Sequence, residues 1–195
     1  MQVQKPFKQI ASKLASLKDT SELMIDLSYS SLLLNSRELA EEVQELEKHV
    51  DKLHTEFELL VLSSGFKPED SKDFLGLIRL GIVAEEIADA AAEIADVILK
   101  VSEPHPILKQ VIREAEETVA RVRVPRNSSL VRKRLRDAEI AEETGMWVLV
   151  IRRGKRWLRP RPNTVIKAGD VLIASGYAEG VEDLKRLVSG SSESE

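Results

Sequence analysis

Two pairs of carboxylates stand four residues apart in this 195-residue chain: Glu22 with Asp26, and Glu85 with Asp89. On an α-helix that spacing puts both groups on one face, a turn apart. Like charges so placed repel by a few tenths of a kcal/mol. Each pair therefore gains most with a cation between its members. Oxygen ligands suit hard or borderline divalent ions such as Mg, Ca, Mn, Fe or Zn. Asp96 follows Asp89 by two turns on the same face, and Glu93 is nearby. The alternative is a solvated face of an acid-rich helix.

The opposite charge is also concentrated. Arg152, Arg153, Lys155, Arg156, Arg159 and Arg161 crowd one short stretch. Guanidinium groups offer planar, bidentate recognition of phosphate, so a small anionic ligand is the expected occupant and a solvated hairpin the alternative. A second basic run comprises Arg121, Arg123, Arg126, Arg132, Lys133, Arg134 and Arg136. It can meet nucleic acid or an acidic surface. No aromatic stacking platform or recognition-helix motif accompanies it, so nucleic acid is not the expected partner.

Other chemistries find no support. His49, His54 and His105 lack the i, i+4 histidine partner of a zinc helix and read as surface or interface residues. There is no Gly-rich phosphate loop and no Ser/His/Asp set. With no cysteine, thiolate metals, disulfides and Cys nucleophiles are excluded, which fits a reducing compartment. The expectation is a non-catalytic protein. The longest apolar run, Met146–Ile151, falls far short of the roughly 20 residues of a membrane span. The start, MQVQKPFKQIASKL, lacks a signal-peptide core. We therefore expect a soluble cytoplasmic protein, peripheral to a membrane only through a partner.

These groups are positioned by two unlike halves. Residues 1–120 carry 13 basic and 23 acidic side chains, and residues 121–195 carry 16 and 10. Such asymmetry predicts two domains with different ligands. Phe7, Ile10, Leu14 and Leu17 predict a helix over residues 5–17. Asp19 and Glu22 resemble a capping box, predicting a second helix from near Thr20. Along it, Leu39, Val43, Leu46, Val50, Leu53, Phe57 and Leu60 follow the 4-3-4-3 seam of packed helices, up to a stop at Ser63-Ser64-Gly65. A third helix is expected over about 71–101, with Gly81, Ala84, Ala88, Ala91, Ala92 and Ala95 on a small-residue face. Pro106 suits the first turn of a fourth reaching about Ala120. Together these make an antiparallel helical bundle.

Beyond Ala120 the pattern shortens. Val119–Val124 alternates as a strand, Asn127-Ser128-Ser129 is a turn, and residues 137–144 form a short helix. Met146–Ile151 is a buried strand, Arg153-Gly154-Lys155 a turn, and Trp157-Leu158 a returning strand. Gly169-Asp170 turns into a strand at Val171–Ala174, and Glu179–Val188 closes as a helix. This is a small α+β unit, and the Ser/Glu-rich tail from Ser189 reads as disordered. The fold class is thus multi-domain: an all-α bundle over 1–118, an α+β domain over 119–188, and a tail over 189–195.

The stretches Val148-Leu149-Val150-Ile151-Arg152-Arg153-Gly154, Arg159-Pro160-Arg161-Pro162-Asn163-Thr164 and Lys167-Ala168-Gly169-Asp170-Val171-Leu172-Ile173 resemble the TrkA-C (RCK-C) domain of potassium-transport regulators. That resemblance implies a dimer whose cleft holds a nucleotide such as cyclic di-AMP, contacted by Ile151, Arg152, Arg153 and Asn163. The Rossmann domain that usually precedes RCK-C is missing, so NAD or ATP bound in the usual way is not expected. The helical half resembles one repeat of the PhoU regulators of phosphate uptake, through the E-x-x-x-D segments at Glu22–Asp26 and Glu85–Asp89. It implies a divalent metal at those four residues. The combination implies a homodimeric regulator of a membrane cation transporter or channel, potassium first, sensing a small anionic ligand. The alternative is a PhoU-like metal-binding regulator of phosphate or other ion uptake.

Overall fold

The computed structural model describes residues 4–65, 67–101, 105–107, 110, 114 and 117–190. Its contacts divide the chain into two compact units, Met1–Leu32 with Ser36–Ser102 and Leu33–Asn35 with Glu103–Glu195.

The first unit consists of α1 (Gln4–Leu33), α2 (Arg37–Leu62) and α3 (Ser71–Lys100). The helix expected over 5–17 continues without a break past Thr20, and the long second helix expected from there to the stop at Ser63 is split in two. Nothing between Leu17 and Thr20 stops a helix, and Glu22 pairs with Lys18 instead of closing a capping box. The break falls at Leu34-Asn35, where Asn35 adopts φ 46°. Ser36 then caps α2, its hydroxyl accepting from the Leu39 N–H at 3.5 Å.

Contacts fix the helix directions. Gln44 Nε2 donates to the Ala92 carbonyl at 2.9 Å and Arg37 Nη1 to that of Leu99 at 3.2 Å, so α2 and α3 are antiparallel. Phe7 meets Phe74 at 6.1 Å between ring centroids, and Ser21 Oγ donates to the Ala84 carbonyl at 2.7 Å, so α1 runs parallel to α3. The seam of α2 is buried at Leu39, Val43, Val50, Leu53 and Phe57, whereas Leu46 and Leu60 are half-buried. Its counterpart on α3 is the small-residue face, buried at Gly81, Ala84, Ala88, Ala91 and Ala95. The reason is visible at Gly81, where a Cβ would sit 2.6 Å from Phe57 Cε1.

The fourth expected helix lies mostly outside the described residues. Pro106, Ile107, Gln110 and Glu114 are helical, but the segment does not reach Ala120. From Glu117 onward the chain is a strand, because residues 117–123 pair with Tyr177–Val171.

The second unit contains β1 (Glu117–Arg123), a 3₁₀ turn (Leu135–Asp137), α4 (Ile140–Thr144), β2 (Met146–Arg153), β3 (Arg156–Leu158), β4 (Val171–Tyr177) and α5 (Gly180–Ser189). The helix expected over 137–144 starts only at Ile140, since Glu139 is left-handed at φ 50°. Helix α5 keeps Ser189 and ends at Gly190; the remainder of the expected tail is outside the described residues. The sheet is antiparallel with order β1-β4-β2-β3. One face packs on α4 and α5 through Val122, Ile140, Met146, Ile151, Leu172 and Leu184. In β2 the pairing passes from Val148↔Ala174 to Val150↔Ile173, so Leu149 is an extra residue, a β-bulge.

Candidate anion and metal sites

Paired residues of neighbouring strands point to the same face of a sheet. Arg123 pairs with Val171, Val171 with Arg152, and Arg152 with Trp157. These four form one row across all strands, on the face away from α5. Arg121 lies two residues along β1, opposite Ile173. Val119, Val150 and Ile173 are the buried apolar residues of this face.

Arg121, Arg123 and Arg152 line a recess of about 380 Å³ with Gly154, Gly169 and Val171. Its rim is made by two turns, with Gly154 at φ 62° and Gly169 at φ 86°, conformations that favour glycine. The Arg152 guanidinium carbon lies 5.4 Å from the centroid of the Trp157 ring, a cation–π contact that holds the side chain along the sheet. Three guanidinium groups lining one recess can bind phosphate or another compact anion.

The four residues implied by the TrkA-C resemblance do not converge on this recess. Arg152 is in it. Ile151, one residue earlier, faces the opposite way and is fully buried in the core. Its side chain has no surface for a ligand within one chain. Arg153 also leaves the recess. Its Nε and Nη2 donate to the Asp170 carboxylate at 2.9 and 2.8 Å, and Nη2 donates to the Val165 carbonyl at 2.8 Å. Asp170 is 1 % exposed and accepts from the Lys167 N–H as well. The hydrogen bond to Asp170 raises the Arg153 pKa further above its ordinary value. This fork holds the Thr164–Asp170 loop to β2. Asn163 is exposed in the turn after Pro162. It neighbours a second recess of about 320 Å³, lined by Ile140, Met146, Trp147, Val148, Pro160 and Pro162 together with Arg136, Glu142 and Arg161.

In the sequence Arg121 and Arg123 belong to the second basic run, apart from the Arg152–Arg161 cluster. Their alternation in Val119–Val124 was the available signal; missing was the register that sets them beside Arg152.

In the helical unit, ligand oxygens of Glu47, Asp51 and Asp89 lie within 4.8 Å of one another, a grouping able to hold a metal ion. Among the described residues no other such group of three occurs. Glu85 belongs to the same field. Burial, then Asp89, raises its carboxyl pKa, and burial followed by Asp51 and Asp89 raises that of Glu47. The 85/89 pair thus faces a partner pair on α2 that has the same spacing, Glu47 and Asp51. That spacing is plain in the sequence but was hidden inside the long apolar seam. Glu22 and Asp26 take no part: Glu22 is paired with Lys18, and burial lifts the Asp26 carboxyl to about 6.

Family models match both units: a PhoU domain over residues 14–98 and a TrkA-C domain over 119–189. The chain is a PhoU domain followed by a TrkA-C domain. Over 84 residues it is 34% identical to Potassium channel protein 1 of Methanocaldococcus jannaschii, covering 43% of this chain and 25% of that one. Over 66 residues it is 39% identical to Probable potassium channel protein 2 of the same organism, covering 33% and 19%. The chain thus spans a quarter or less of these relatives' length. Among solved structures, the RCK_C domain dimer of S. agalactiae BusR in complex with c-di-AMP aligns at 19% identity and TM-score 0.35, over 37% of this chain and 97% of that one. The GsuK RCK domain aligns at 17% and 0.36, over 55% and 22%.

Proposed function

We propose that this chain is a non-catalytic cytoplasmic regulator of a cation transporter or channel, with potassium the transported ion, and that it senses a small anionic ligand through its second unit. The observation that carries the reading is the row of Arg123, Val171 and Arg152, with Arg121 beside it, over a 380 Å³ recess. This recess belongs to a TrkA-C domain, and the chain's relatives include potassium channel proteins. No described helix is long and apolar enough to cross a membrane, so contact with the transporter is made through its exposed surfaces. The working form is a homodimer. A ligand regulates only by binding one state of the protein more tightly than another.

Anionic nucleotides, cyclic di-AMP among them, are the first ligands to test by thermal shift and equilibrium dialysis. We expect one to raise Tm, with affinity falling at least about tenfold in Arg152→Ala and with rising salt. No stabilisation by any member of the panel sinks the ligand reading.

A second reading rests on the acidic cluster: a metal-responsive regulator of phosphate or other ion uptake. Elemental analysis of purified protein, repeated with Asp51→Ala and Asp89→Ala, decides it. Metal lost on substitution supports that reading, and metal-free protein ends it. A parallel loss in Glu22→Ala with Asp26→Ala would return those two residues to the ligand set.

A further inference from the structure

Helix α3 has two apolar strips, and the described residues cover one. Beside the Gly81–Ala95 strip, about 100° further round the helix, runs a second seam: Leu80, Val83, Ile87, Ala90, Ile94 and Val97, closing at Val101. Its spacing is 3-4-3-4-3-4, the repeat of a helix built to pack on another helix. No charged residue interrupts it. Yet Leu80 is 56% exposed, Val83 48% and Val97 44%, and Ile87 and Val101 are exposed as well. On α1, the exposed Ile25 and Tyr29 follow Ser21, whose hydroxyl reaches Ala84. The parallel course of α1 and α3 therefore sets them beside Ile87 and Ile94.

We propose that this α1/α3 face joins two copies of the chain about a two-fold axis near Ala90, with the α3 helices antiparallel and Val83 opposite Val97 of the other copy. This goes beyond the ligand-sensing reading and does not depend on it.

Size is the first argument. Twenty-two residues at 1.5 Å each make a strip about 30 Å long, and two helices side by side about 20 Å wide, so the face offers about 600 Å². That is the upper end of the few hundred to about 600 Å² of the largest apolar patch on a monomer, and about three quarters of the roughly 800 Å² per partner of a stable interface. Symmetry is the second. The seam's smallest residue, Ala90, sits at its midpoint, where two antiparallel copies approach most closely, and the larger residues interdigitate on either side. An isologous contact needs one self-complementary patch, which this seam supplies.

The margin makes the idea sharper. Arg79, Glu86, Glu93 and Lys100 flank the seam. Two-fold pairing sets Glu86 near Glu93 of the other copy, and Arg79 near Lys100. These like charges repel weakly and are screened by salt. Self-association should therefore tighten as salt rises, whereas docking of an oppositely charged partner would weaken.

The chain has no cysteine, so an introduced thiol reports alone. In the full chain, Ala90→Cys should form an intermolecular disulfide under mild oxidation, and Glu45→Cys, on the exposed face of α2, should not. Adding Val83→Glu and Ile87→Glu should abolish the Ala90→Cys disulfide and lower the association constant by at least tenfold in sedimentation equilibrium, with the far-UV CD unchanged. Any of these results overturns the proposal: no Ala90→Cys dimer, a disulfide that survives the two glutamates, association weakened by salt, or a chain that floats with neutral phosphatidylcholine vesicles through this face. If the double variant fails to fold, Leu80→Gln with Val97→Gln replaces it, with the same required loss. A dimer held only by the second unit would leave every one of these variants dimeric by sedimentation without the disulfide, and that too overturns it.

Discussion

The two units are built from different kinds of close contact. In the helical unit a side chain presses on a backbone: the Phe57 ring occupies the space that a Cβ at Gly81 would take. In the sheet unit backbone presses on backbone. A Cβ at Gly180 would lie 2.0 Å from the Thr144 carbonyl oxygen, and one at Gly176 would lie 2.2 Å from that of Gly145. A ring can turn away, and a carbonyl fixed at a helix end cannot. The helical unit should therefore tolerate substitution by local adjustment, and the sheet unit should not.

The largest expected effect tests that contrast. Gly180→Ala should cost about 3 kcal/mol in denaturant unfolding, and no single compensating substitution should restore it. Gly81→Ala should cost only about 1 kcal/mol, since the gain in helix propensity offsets part of the clash. Phe57→Leu should recover part of that loss, visible as a coupling in a double-mutant cycle. Equal costs at the two glycines would break the comparison.

The next effect concerns charge. Asp170→Ala should destabilise the sheet unit by about 2 kcal/mol, because it frees the Thr164–Asp170 loop and strips Arg153 of its partner. Arg153→Ala should be at least as costly, since it leaves a buried carboxylate without its guanidinium. A loss of nucleotide binding in Arg153→Ala with no change in stability would return that residue to a ligand role.

The smallest effect belongs to the helical unit. Asp26 has its carboxyl lifted to about 6 by burial. An acid whose folded pKa is raised stabilises the fold fully below its unfolded value near 4, and that stability is lost as pH rises through about 6. Asp26→Asn should therefore leave stability unchanged near pH 4 and raise it by about 1 kcal/mol at pH 8, a figure reduced for the residue's partial exposure. Denaturant midpoints at the two pH values check the sign.

The same contrast explains what the sequence disclosed. Helices announce themselves through periodicity within one segment, so α3, the seam of α2 and their facing surfaces were legible, down to the alanine strip, but the break at Leu34–Ser36 that begins α2 was not. What periodicity could not reveal was the join at Leu17–Thr20, where a capping pattern was outweighed by uninterrupted helix formers. Nor could it show which acidic pair faces Glu85 and Asp89, because that depends on how two helices align. In the sheet unit the turns at Gly154 and Gly169 and the strands between them were readable from local chemistry. The recess was not, since Arg121 and Arg152 are thirty-one residues apart in the chain and meet only through strand register. Ile151 and Arg152 show the limit well: neighbours in sequence, they serve opposite faces.

Leu149 sets that division. By inserting one unpaired residue into β2, it reverses the in-and-out order of everything after it, so that Met146 and Val148 face the core together with Ile151. It acts as a phase shift in a two-beat rhythm. The same residues paired without a bulge, with Leu149 taking its place in the ladder, would carry Arg152 inward and Ile151 to solvent. Strand composition alone will therefore not transfer this recess to another chain; the extra beat must be counted as well.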